Sequence, residues 1–73
     1  MELNVKKLQL IMARKEVGVR ELATKASISA AAVSKCVRGI TKPSIKSLGK
    51  IANALGVDVE EIIEDEKEKE QTR

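Results

Sequence analysis

Apolar residues return every three or four positions in five stretches of this 73-residue chain, the period of helices that bury one face. The first stretch runs from about Asn4, a candidate N-cap, to Lys15, with Leu8, Ile11 and Met12 on one side. Gly18, which tolerates a left-handed backbone, follows as its expected stop. The second covers Val19 to about Ala26, with Val19, Leu22, Ala23 and Ala26 at i, i+3, i+4 and i+7. In the third, Ser29 is placed to cap a helix that ends before Gly39. Val33, Cys36, Val37 and Ile40 form its inner stripe, and Ala31, Ser34, Lys35 and Arg38 point away. After a loop from Gly39 to Pro43, Ser44 caps a fourth helix with Ile45, Leu48, Ala52 and Leu55 in one stripe, stopped by Gly56. Asp58 and Glu61 have capping-box spacing for a fifth helix bearing Val59, Ile62 and Ile63.

These elements predict an all-α domain over residues 1–63, with a core that is aliphatic because the chain has no Phe, Tyr or Trp. From Glu64 to Arg73 there is no apolar residue, which predicts a frayed helix end or disordered tail. Cys36 is the single cysteine and lies on a buried stripe, so it reads as a small core residue; with no His present, neither a disulfide nor a zinc site is expected. No stretch approaches the length of a membrane span, and the first residues lack a signal-peptide layout, which places the chain in the cytoplasm as an expectation.

Charge alters the picture more than composition does. The net +3 divides into eleven Lys or Arg against three Glu before residue 58, a balance of +8, and three against eight acids after it, a balance of −5. A basic body with an acidic end suits a polyanionic partner.

Between Val19 and Gly39 lie a short helix, a tight turn at Ser27, Ile28 and Ser29, and a second helix with a polar outer face. That is the layout of a helix-turn-helix, whose second helix can enter the major groove of DNA while helix-start N–H groups face phosphates.

The residues themselves go further. Glu21-Leu22-Ala23, Ser27-Ile28-Ser29, Val33-Ser34, Gly39, Pro43-Ser44, Lys50-Ile51-Ala52, Leu55-Gly56-Val57 and Glu61-Ile62-Ile63 follow one another in an order that resembles the Cro/repressor-type (XRE, lambda-repressor-like) helix-turn-helix family over about residues 4–63. The resemblance implies a compact five-helix domain with its helix-turn-helix in helices 2 and 3. It further implies a transcriptional regulator, most often a repressor, that binds palindromic operators in double-stranded DNA as a homodimer. Position by position, it puts base contacts on Ala30, Ala31, Ser34 and Lys35. Alanine offers only apolar contact, rewarded by the thymine methyl, and Lys35 suits guanine O6 and N7. Phosphate contacts fall on Val19, Arg20, Arg38, Thr41, Lys42, Ser44 and Lys46.

Three departures stand out. Val19 replaces a common Gln, leaving only backbone N–H groups to donate there. Ser27 stands where a turn glycine is usual. Met12 and Val37 replace a frequent Arg and Glu pair, which predicts direct apolar packing between the first and third helices. Val59, Ile62 and Ile63 either cover the core or form a symmetric dimer surface.

Nothing in the chain suggests catalysis: there is no His, no nucleophile beside a base and no glycine-rich phosphate loop, and no cofactor or small-molecule ligand is implied. Single-stranded nucleic acid is disfavoured because no aromatic ring is available for base stacking. The rival reading is a protein-interaction module, an antitoxin-like partner or adaptor whose basic face meets an acidic protein.

Overall fold

Asn4, Ser29 and Ser44 each turn a side-chain oxygen onto an N–H three residues ahead, that of Lys7 at 3.0 Å, Ala32 at 3.1 Å and Ser47 at 3.2 Å, and each begins a helix. The structure, a computed structural model, describes residues 2–64. Helix α1 spans Val5–Lys15, α2 Val19–Ala26, α3 Ala30–Val37 and α4 Ile45–Leu55, followed by a single 3₁₀ turn at Val59–Glu61.

Four turns end these helices with one hydrogen-bond pattern. The N–H groups of Val17, Ile28, Ile40 and Val57 reach back to the carbonyls of Met12, Ala23, Lys35 and Ala52 at 2.8–3.0 Å. The residue before each donor lies in the left-handed region: Glu16, Ser27, Gly39 and Gly56. This is the Schellman arrangement, which satisfies orphan carbonyls, and at three of the four ends the following residue, Val17, Ile28 or Val57, packs back on the core. Gly18 is therefore not the stop of α1, as its composition suggested. Glu16 takes the left-handed position and Gly18, extended, precedes α2.

The core is continuous across all four helices: Leu8, Ile11 and Met12 from α1, Leu22 and Ala23 from α2, Val33 and Cys36 from α3, and Leu48, Ile51, Ala52 and Leu55 from α4. Val37, half-buried, packs against this cluster, of which Met12 is a member. No polar side chain among the described residues is buried, so aliphatic packing carries the interior.

Two stripe assignments need correction. Ile40 lies beyond the end of α3 and is 57% exposed, because the chain there leads into an exposed loop. Ile45, in the first turn of α4, is 74% exposed, and Ile51 occupies the core in its stead.

The expected fifth helix is also corrected. The Asp58 and Glu61 capping box forms, with Asp58 N–H on Glu61 Oε2 at 3.1 Å, yet only one 3₁₀ turn follows. The chain then pairs with the N-terminal segment. Asn4 N–H donates to Ile62 O at 2.8 Å, Glu64 N–H to Glu2 O at 2.8 Å, and Leu3 lies opposite Ile63 in an antiparallel bridge. These bonds take backbone groups that a longer helix would have needed. Leu3 joins the core, and Ile62 is wholly buried in it, so this candidate dimer residue presents no surface. Val59 and Ile63 are half-buried. Of the expected tail, Glu64 is part of this pairing and residues 65–73 lie outside the described residues.

Candidate nucleic-acid interface

Helices α2 and α3 are joined through Ser27, whose φ of 59° is the left-handed value expected where glycine is usual. The turn folds Ile28 against the core, and Ser29 caps α3 immediately afterwards. Two helices linked this closely hold α3 with Val33 and Cys36 inward. On its opposite side Ala30, Ala31 and Lys35 are exposed and Ser34 is half-buried, so the four base-contact candidates share one edge of a helix whose other edge is fixed.

The phosphate candidates lie on α2, just past α3, in the loop that follows and at the start of α4. Arg20 is exposed in the first turn of α2, while Val19 is half-buried against the core and offers only its backbone. That turn, unlike the starts of α1, α3 and α4, has no side-chain cap, which leaves its N–H groups to an outside acceptor. Arg38 is exposed just past α3, and Thr41, Lys42, Ser44 and Lys46 are exposed in the following loop and at the start of α4.

Their hydrogen bonds refine the roles. Ser44 Oγ accepts from Ser47 N–H and donates to Ser47 Oγ at 3.2 Å, so its hydroxyl proton is already committed. Lys42 Nζ lies 3.4 Å from Glu2 Oε2, an exposed pair that a phosphate would have to open. Thr41 Oγ1 lies 3.8 Å from the buried Cys36 thiol, holding the loop near α3. Between α3 and α4 this loop leaves an open cleft of about 230 Å³, with Cys36 and Ile51 at its floor and Thr41, Lys42, Ser44 and Ser47 at its rim.

The exposed edge of α3 is legible in the sequence, but the partner of Lys42 is not. Glu2 is 40 residues away in the chain, and no local pattern announces a contact made only when the two ends pair.

This arrangement has counterparts. The family described as the Cro/C1-type HTH DNA-binding domain matches residues 7–68. The chain belongs to that family. Its members are DNA-binding transcription regulators. The fold of this Cro/C1-type domain is similar to that of the restriction-modification controller protein C.AhdI from Aeromonas hydrophila. There the TM-score is 0.75 and the identity 23%, over 78% of this chain and 86% of that one. It is also similar to a hypothetical transcription factor, NHTF, from Neisseria, with a TM-score of 0.77 and 22% identity over 94% of this chain and 79% of that one. Among curated proteins, none matches the Cro/C1-type chain.

No helix among the described residues of the Cro/C1-type domain is long and apolar enough to cross a membrane. Nor do those residues include a group of three or more His, Cys, Asp or Glu that could hold a metal ion.

Proposed function

We propose that this Cro/C1-type domain is a cytoplasmic transcriptional repressor that binds a palindromic operator as a homodimer, with α3 in the major groove. The observation that carries this reading is the exposed edge of α3. Ala30, Ala31 and Lys35 stand clear of the core there, and Arg20, Arg38, Lys42 and Lys46, on the neighbouring elements, are exposed too. Small residues at the start of α3 allow close approach to base edges and thymine methyls. Lys35 supplies the main base-directed donor and anchors a guanine, with Ser34 beside it. Arg38, Thr41, Lys42, Lys46 and the backbone at Val19, Arg20 and Ser44 hold phosphates, which fix register without reading sequence. A second copy joins through the surface that includes Val59 and Ile63.

Selection of bound sites from a random duplex library at fixed salt tests the reading. The expected product is a symmetric, thymine-containing site whose half-sites are separated by one helical turn, about 34–36 Å. Lys35→Ala should relax preference at one base pair per half-site, whereas Lys46→Ala should weaken all duplexes alike and lower the salt slope by about one unit per protomer. Absence of duplex binding even at low salt would sink the proposal and favour a protein partner.

A further inference from the structure

The last turn of an α-helix leaves four carbonyls to be satisfied from outside its regular ladder or by its closing turn. At the end of α3 they belong to Ser34, Lys35, Cys36 and Val37. The chain immediately following answers three of them. Arg38 N–H donates to Ser34 O at 3.0 Å, Ile40 N–H to Lys35 O at 2.8 Å and Gly39 N–H to Cys36 O at 3.1 Å. The fourth is answered from another helix: the side-chain amide of Gln9, on α1, donates to Val37 O at 2.8 Å across 28 residues of sequence.

We infer that Gln9 is a positioning residue for the DNA-reading helix, setting the direction of its C-terminal end and so the placement of Lys35 and Arg38 on the duplex. The inference rests on the DNA reading above. Helix α3 has only eight residues, a length at which a helix owes its order to its surroundings. Its N-terminal end is fixed by the Ser29 cap and the turn from α2. At the other end, Val37 contributes apolar packing against the core, which holds the helix close but is not directional. A hydrogen bond is directional, and Gln9 to Val37 is the side-chain hydrogen bond that links α1 to α3 among the described residues. Arg38 adjoins the tethered carbonyl and Lys35 lies two residues before it. A tilt of this end displaces their long side chains while Ala30 and Ala31, near the capped start, move least.

Specific binding needs that placement, and nonspecific attraction to phosphate does not. The two affinities therefore separate the proposed role from a merely structural one. Gln9→Met keeps the length of the side chain and removes the donor. The expected result is a loss of about fivefold in affinity for the selected operator, the size of one net hydrogen bond, with less than twofold change for a scrambled duplex at the same salt. Exchange of the Gly39 and Ile40 amide protons should accelerate. Gln9→Arg, which restores N–H groups at that reach, should return the ratio of operator to scrambled affinity to within about twofold of wild type. The ratio is the readout because a new cation raises both affinities.

An unchanged ratio in Gln9→Met, or parallel weakening on both duplexes, overturns the role of Gln9. A failure of Gln9→Arg to restore the ratio does the same. Wild-type protein that enriches no duplex overturns the DNA reading and this inference with it, a result distinguishable because it precedes any substitution.

Discussion

Val57 follows Gly56 at the end of α4, and Ile40 follows Gly39 at the end of α3. Each sits behind a glycine in the left-handed region and bonds its N–H to the carbonyl five residues back. Yet Val57 packs on the core, as do Val17 and Ile28 at the ends of α1 and α2, whereas Ile40 is 57% exposed. The turn geometry is thus shared, and what the apolar residue does afterwards is decided by its surroundings. At three ends it closes the interior. At the fourth it leads into the exposed loop that carries Thr41 and Lys42. A second contrast runs through the same set: two of the left-handed residues are glycine, and the other two are Glu16 and Ser27, which bear a side chain where L-residues are strained.

These contrasts can be broken in order of size. Gly56→Val puts a β-branched residue at φ 72° and should lower stability by about 2–3 kcal/mol, seen as a fall of roughly 10–20 °C in melting temperature. A smaller fall would mean that the end of α4 can unwind by one residue without loss. Ile28→Ala, removing a half-buried side chain from the helix-turn-helix, should cost about 1–2 kcal/mol in denaturant titration. Ser27→Gly should act in the opposite direction, raising stability by about 0.5–1 kcal/mol after the added freedom of the unfolded chain is counted. Loss of stability there would show that the serine side chain does more than occupy the turn. Ile40→Ala should remain within about 0.5 kcal/mol of wild type, since its exposed side chain has little apolar contact to lose. A drop matching that of Ile28→Ala would erase the distinction between the two ends.

Helix starts were easier to read from sequence than helix stops. Asn4, Ser29 and Ser44 are short polar residues before apolar periodicity, and each caps as its chemistry suggests. Glu16 carries no such mark. Its conformation follows from Val17, which must fold back to the core, and Gly18 next door is a better left-handed candidate by composition alone. Ile40 and Ile45 fit helical spacing on paper, but Ile40 lies past the end of α3, and Ile45 is the first residue of α4, exposed before the buried stripe begins at Leu48. The shortening of the last element depended on Leu3, whose pairing with Ile63 spans nearly the whole chain and leaves no local trace. At the candidate interface, exposure of Ala30, Ala31 and Lys35 follows from the same stripe that buries Val33 and Cys36. The contacts that qualify it, Glu2 with Lys42 and Gln9 with Val37, are tertiary and could not be foreseen from spacing.

The pairing of residues 2–4 with 62–64 also makes the backbone nearly a ring. Residues 2 and 64 therefore lie at the same point on the surface of the domain, beside Glu2 and its partner Lys42, instead of at opposite poles. The chain thus enters and leaves the helical body at one address, at the edge of the candidate DNA interface.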